Sequence, residues 1–177
     1  EVNADRAHMA IWNTNYWSAI NNTNIIIAGI DNSEGDAALK TRVKAEAHFL
    51  RALHYFNLAR IYGYEPGKEV SGFNKSVIIR TEPTLGFSNA DFRARATNRE
   101  VYDLMISDLQ TAIAGLPNAA LGSANVYRAS KGSAQALLAR VYLYDSKFAE
   151  AESLATQAMA SFGLTDAGTG LLTPENY

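Results

Sequence analysis

The stretch from Ser33 to Tyr62 most narrows the folds open to this chain. Its apolar residues Phe49, Leu50, Ala52, Leu53, Tyr55, Phe56, Leu58 and Ala59 recur at helical spacing, yet they cover much of the circumference instead of one stripe. A helix that is apolar on most sides needs partners on more than one side. The spacing therefore predicts a central helix packed between others. Ser33 and Asp36 have capping-box-like spacing at its start, and Gly63 and Pro66 stop it.

The partners are legible on either side. From about Arg6 to Ala28, residues Met9, Trp12, Tyr16, Ile20, Thr23 and Ile27 step by three or four, and Gly29 ends the run before the turn DNSEGD. Thr97 and Glu100 form a capping box that opens a third helix with the stripe Val101, Leu104, Met105, Leu109, Ile113 and Leu116, closed by Gly115 and Pro117. A fourth helix covers about Ser130 to Tyr144, and a fifth about Lys147 to Phe162 with Gly163 as its cap. No period-two strand stands out, although Ser76 to Arg80 has the composition to pair locally. Residues 63–96 break the pattern with Gly63, Pro66, Gly67, Gly72, Pro83 and Gly86. This long loop insertion far exceeds the ~4–6 residues of an ordinary connection, and long ordered loops often carry function.

Residues 130–163 form the clearest repeat. AQALLARVYLYDSKFAEAESLATQAMA fits a tetratricopeptide-type hairpin, with Leu138, Ala139 and Tyr142 before the turn and Phe148, Ala151 and Ala158 after it. Small Ala139, Ala151, Ala155 and Ala158 allow close approach of two antiparallel helices, while Tyr142 and Phe148 fill the wedge between them. One hairpin cannot bury its own apolar face, so neighbouring helices must stack on it. The expectation is an all-α fold of tetratricopeptide-like antiparallel hairpins in a right-handed array; an antiparallel bundle with an alanine-rich seam is the simpler alternative.

Composition excludes several function classes. The 177 residues are 47% hydrophobic, enough for a real core in one domain spanning residues 1–177. A net charge of -2 offers no basic field to a nucleic acid backbone. Absence of cysteine removes disulfides, thiolate metal sites and cysteine nucleophiles. Ile25 to Ile30 is much shorter than the ~20 apolar residues of a membrane span. The chain begins EVNADR, without an initiator Met, an apolar signal region or a lipidated Cys, which leads us to expect a piece of a larger protein with any targeting segment upstream.

Catalysis needs a nucleophile with a base, opposed carboxylates or clustered metal ligands. None is evident, so no enzyme activity, cofactor or metal is expected. His48 and His54, six apart on one helix, point to different faces and with His8 are read as structural. DNSEGD has Gly35 and Asp36 out of register for a calcium loop and Arg42 at the twelfth position, and is read as a turn. Gly168-Thr169-Gly170 follows a helix and is not a dinucleotide fingerprint. Glu46, Arg51 and Asp108 lie in helices among apolar neighbours. A buried charge is costly unless paired, so Arg51 is expected to meet a carboxylate such as Asp108 on the adjacent helix. Asn24 is expected to bond loop backbone or a neighbouring helix terminus.

An exposed aromatic face flanked by polar side chains is the residue pattern that can hold a small ligand. Trp12, Tyr16, Phe49, Tyr55, Phe56, Tyr142 and Phe148 fall at helical spacing and are assigned to the core; Trp17 lies off the main stripe. The candidates for ligand are on the long loop: Tyr64, Phe73, Phe87 and Phe92, with Asn74, Asn89 and Asp91 as polar partners.

Four stretches resemble the RagB/SusD family, in the family's order. In KAEAHFLRALHYFNLARIYGYEP, residues Glu46, Ala47, Phe49, Leu50, Arg51, Ala52, Tyr55, Leu58, Tyr62, Gly63 and Pro66 resemble its most recognisable motif. Trp12, Tyr16, Ile20, Asn24, Ile26, Ile27 and Ile30 are similar to its first helix. REVYDLMISDLQTAIAGLP and YRASKGSAQALLARVYLYDSKFAEA resemble its third and fourth signatures. The resemblance implies the N-terminal helical part of a cell-surface lipoprotein of the bacterial outer membrane, its anchoring Cys before residue 1 and much of its ligand platform after Tyr177. It further implies a non-catalytic role, capturing oligosaccharides such as starch, or in some members peptides, for a SusC-like TonB-dependent transporter. The helices would be scaffold and part of the transporter contact. Two rival readings remain open: a tetratricopeptide-type adaptor for a peptide or protein, and an α-helical glycosidase.

Overall fold

The computed structural model describes residues 10–86, 88–89, 92–118 and 127–162, with backbone alone at Thr14, Asn15 and Trp17. A π-helical run, Asn13–Ile20, continues directly into α1, Asn21–Gly29, and a single 3₁₀ turn, Ile30–Asn32, follows. Then come α2, Ala37–Tyr62; α3, Asn98–Gly115; α4, Lys131–Tyr144; and α5, Phe148–Ser161. Helices dominate, and the described residues contain no β-strand beyond one isolated bridge, Lys75 to Thr97.

The π-helical start has a physical logic. Trp12, Tyr16, Ile20 and Asn24 step by four, a row that drifts around an α-helix of ~3.6 residues per turn but less around the wider i→i+5 turn. Trp12 accordingly stacks on Tyr16 at 4.7 Å between ring centroids. Tyr16, Ile20 and Asn24 are all buried where this first helix packs on α2.

α2 is the central element. It packs on the first helix, most extensively on α3, and also touches α4. Its buried residues Ala45, Ala47, Arg51, Ala52, Tyr55, Phe56, Leu58 and Ala59 explain why its sequence shows no single apolar stripe. Ala45, Ala52, Tyr55, Phe56, Leu58 and Ala59 join Val101, Met105 and Leu109 of α3 and Val141 of α4 in one core. Gly115 is needed where α3 closes on α2, because a Cβ there would lie 2.8 Å from the Ala45 Cβ.

The helix ends correct one expectation and extend another. α2 starts at Ala37, not near Ser33: Asp36 is the N-cap, its carboxylate accepting from the Leu39 N–H at 2.8 Å. Ser33, Glu34 and Gly35 form bends, with Gly35 at φ 128°. The Thr97–Glu100 capping box is present with both reciprocal bonds, and Ser130 and Ser133 form a second one at the start of α4.

α4 and α5 form the expected antiparallel hairpin, with Ala134, Leu138, Ala139, Ala151 and Ala158 buried in or beside its seam. Two parts of the wedge reading need correction. Phe148 is 64% exposed, because it is the first residue of α5 and faces away from the seam that Ala151 and Ala158 define. Ala155 is exposed as well, although its spacing matches theirs. Tyr142 is half-buried, with Lys147 Nζ 5.5 Å from its ring centroid. The cap expected at Gly163 and the Gly168-Thr169-Gly170 run lie outside the described residues.

The loop after α2 is ordered as a strap. Ser76 N–H donates to Ala96 O at 2.8 Å and Ala96 N–H to Val77 O at 2.9 Å, the local pairing expected near Ser76. Val77 then enters the core. Beyond it, residues 80–84 lie against α1 and α2, held by side chains of both helices.

Candidate functional site

What holds the strap is polar and buried. Tyr55 of α2 donates its hydroxyl to Arg80 O at 2.9 Å and accepts the Arg80 N–H at 2.7 Å, so one side chain replaces two strand-like bonds. Burial pushes its phenol well above the usual range, keeping it protonated as a donor. Asn24 of α1 donates to Arg80 O at 3.1 Å and Glu82 O at 3.2 Å, the loop-backbone role expected of it. Asn21, about one helical turn before Asn24, repeats the arrangement, accepting from Thr84 N–H at 2.7 Å and donating to Thr84 O at 3.1 Å.

Behind these amides sits the expected ion pair. Arg51 Nε donates to Asp108 Oδ2 at 2.8 Å and Nη2 to Oδ1 at 2.7 Å, a two-pronged bridge from α2 to α3 in which both side chains are buried. Arg51 Nη1 continues to Asn24 Oδ1 at 2.9 Å. His48 Nδ1 stands 2.7 Å from Asp108 Oδ1, giving that histidine a structural post. His54 is half-buried, and burial lowers its pKa below the ordinary histidine value. Glu46 is engaged by Arg42 on its own helix and by Arg128 ahead of α4. The charged residues of the motif are thus bracing, and among the described residues no three His, Asp or Glu side chains group as a metal site would require.

The exposed chemistry lies where α2 ends. Tyr64 and Phe73 meet edge to face at 6.3 Å between centroids, and remain 39% and 46% exposed. Arg95 sits 5.4 Å over Phe73 while its guanidinium donates to the carbonyls of Tyr62, Ser76 and Lys75, so it clamps the loop base to the ring. Asn98, fully buried at the start of α3, accepts from Tyr64 N–H at 3.0 Å, and its own N–H donates to Asn74 O at 2.9 Å. Gly63 permits this: a Cβ there would lie 2.6 Å from Ser76 Oγ and 2.7 Å from Asn98 Oδ1. An ordered pair of aromatic faces results, with one edge open to solvent.

Beside Tyr64 a cleft of ≈ 360 Å³ opens between the C-terminal ends of α2 and α4 and the N-terminal half of α3. Arg60, Glu65, Lys68, Tyr102 and Tyr144 line it with Tyr64. Burial, with the nearby Glu65 and Asp145 charges, pushes the Tyr102 phenol well above its usual value. Asp145 moves the other way: burial raises it, but hydrogen bonds and charge from Arg99 at 2.5 Å and Lys147 at 2.9 Å outweigh that and hold it below the ordinary carboxylate range.

Of the loop residues singled out for ligand, the structure brings Tyr64 and Phe73 together. Asn74 is exposed beside them, its carbonyl committed to Asn98. Asn89 and Phe92 are exposed, with Phe92 N–H donating to Asn89 O at 3.3 Å. Phe87 and Asp91 lie outside the described residues. Arg60, Tyr102 and Tyr144 were missed because in sequence they sit on helices among apolar neighbours; the one signal was that Arg60 and Tyr64 are i, i+4 across the helix end. Asn98 was missed because a residue after a capping threonine reads as surface.

Comparisons with known proteins bear on the family and the fold. Residues 1–143 match the SusD-like family model described as starch-binding associating with outer membrane. The chain is 31% identical over 127 residues to SusD-like protein P38 of Formosa agariphila, covering 71% of this chain and 22% of that one. A SusD-like carbohydrate-binding protein from Bacteroides vulgatus superposes with a TM-score of 0.78 at 26% identity, covering 94% of this chain and 33% of that one. A laminarin-binding SusD-like protein gives 0.73 at 30% identity, covering 92% and 32%. This chain belongs to the SusD-like family. It spans about a fifth of the Formosa relative's length and about a third of those solved structures.

Proposed function

We propose that this chain is the helical part of a non-catalytic glycan-binding component of an outer-membrane uptake complex, capturing oligosaccharide for a SusC-like TonB-dependent transporter. The observation that carries the reading is the Tyr64–Phe73 pair: two half-exposed rings whose backbone is pinned by Asn98 and Arg95, so that stacking a sugar on them orders nothing new. The family's starch-binding description and the laminarin-binding relative support a carbohydrate. No described helix is long and apolar enough to cross a membrane, and the family's description as associating with the outer membrane supports the location proposed here.

The test is calorimetric titration of the protein with a panel of plant, host and microbial oligosaccharides, laminarin fragments included. Binding that weakens roughly tenfold in both Tyr64→Ala and Phe73→Ala supports the reading, in keeping with the ~1 kcal/mol or more that a stacked aromatic contributes. Silence across the panel counts against it, and turnover of any oligosaccharide overturns the non-catalytic assignment.

A further inference from the structure

The cleft beside the aromatic pair contains a cation without a counter-charge. Arg60 lies with its guanidinium carbon 5.5 Å from the Phe56 ring centroid and 5.8 Å from that of Tyr144. Those two rings are themselves fixed edge to face at 5.2 Å, with Phe56 buried in the core. Among the described residues Arg60 makes no hydrogen bond or ion pair. Most other described arginines are spoken for: Arg42, Arg51, Arg93, Arg99 and Arg128 by carboxylates and Arg95 by carbonyls. Arg60 is instead held beside two rings, contacts that take no hydrogen bond from its N–H donors and leave them available.

A second observation points the same way. Tyr102 lines the cleft with a side chain only 2% exposed, and its hydroxyl has no hydrogen-bond partner among the described residues. The hydroxyl is reachable from the cleft it lines, so it can donate to a ligand there. Its elevated pKa keeps the proton on, making it a donor. The cleft's other charges, Lys68 and Glu65, pair with each other, so the net charge lining it is that of Arg60. Donors and one uncompensated positive charge, beside an aromatic platform, define an acceptor-rich anion on a ring-shaped ligand.

We infer that the cleft lined by Arg60, Tyr102 and Tyr144 is an anion subsite, receiving the carboxylate or sulfate ester of an acidic sugar whose ring or neighbouring unit rests on Tyr64 and Phe73. This rests on the glycan-binding reading and specifies its substrate class. Tyr64 joins the two halves, because it belongs to both the stacked pair and the wall of the cleft. The guanidinium donates two parallel hydrogen bonds to the anion and the phenol a third.

The test is titration of the protein with three matched oligosaccharide sets: uronate-containing, sulfated and neutral. Tighter binding of either acidic set, weakening as salt is raised, supports the inference, and the arm that binds identifies the carboxylate or the sulfate as the anion. Arg60→Gln should lower acidic-sugar affinity roughly tenfold or more and abolish the salt dependence, with Tyr102→Phe giving a smaller loss; both variants are to be compared at matched thermal midpoints. Neutral sugars binding as well as acidic ones, or Arg60→Gln leaving acidic binding intact, overturns the anion subsite while the glycan reading stands. Absence of binding in all three sets overturns both.

Discussion

Arg51 and Asp108 bind each other through both oxygens of the carboxylate, from two different helices, in a site where each side chain is nearly closed to water. The pair also passes its geometry outward, since Arg51 orients Asn24 and Asn24 fixes the strap at Arg80 and Glu82. Removing one partner strands a buried charge, whereas removing both removes the desolvation cost as well. Asp108→Leu and Arg51→Met are each expected to destabilise by about 3–5 kcal/mol, and the double variant by clearly less than their sum. Urea denaturation of the four proteins measures this; additive losses would show the two residues to act independently.

Tyr55 offers a cleaner deletion. Tyr55→Phe keeps the ring in the core and removes only the hydroxyl that serves Arg80 N–H and Arg80 O. An orphaned buried amide costs about 1–3 kcal/mol. Hydrogen exchange should show the Arg80 amide losing protection far more than amides of α3, and equal loss everywhere would refute a local role.

Gly63→Ala places a methyl group where Ser76 Oγ and Asn98 Oδ1 already stand. Overpacking of this kind costs about 1–3 kcal/mol. Because Asn98 positions Tyr64, sugar binding should weaken together with stability. Gly67→Ala is a useful contrast, since its Cβ would meet open space and only its φ of 80° opposes the change.

Acid should find Asp145. Its folded pKa lies below the ordinary value, so the unfolded chain takes up the proton first as pH falls. The pair's contribution is therefore complete above the unfolded carboxylate value, ~3.9, and is lost as pH drops through the lower folded value. The lowered pKa of His54 acts with the same sign at higher pH, because protonation favours the unfolded chain. Thermal melts from pH 7 to pH 2 should show Asp145→Asn less stable than the parent near neutrality and with a flatter acid limb; parallel limbs would exclude the carboxylate as a source of acid sensitivity.

Helices were legible in the sequence because burial imposes a period, and a charge embedded among apolar residues announces a partner, which is why Arg51 and Asp108 could be paired in advance. Asp36 displaced Ser33 as the cap because either side chain can serve an N-terminus, and only the chain's path into Ala37 decides between them. Phe148 carried the right period at a helix end, where it stays mostly exposed. The site was half legible: Tyr64 and Phe73 stand out as loop aromatics, but their meeting depends on Gly63, Asn98 and Arg95, and each of those acts through distant backbone. Arg60 resembles any surface arginine until Phe56 and Tyr144 are seen beneath it.

The strap's anchors have a consequence for how such a protein can diversify. Asn21, Asn24 and Tyr55 grip main-chain atoms of the loop, and Asn98 takes the Tyr64 N–H. The loop's course is consequently indifferent to which residues occupy its outward positions, so the rings at 64 and 73 are replaceable fittings on a fixed rail. A new ligand preference can be written into those positions without asking the helices to fold differently.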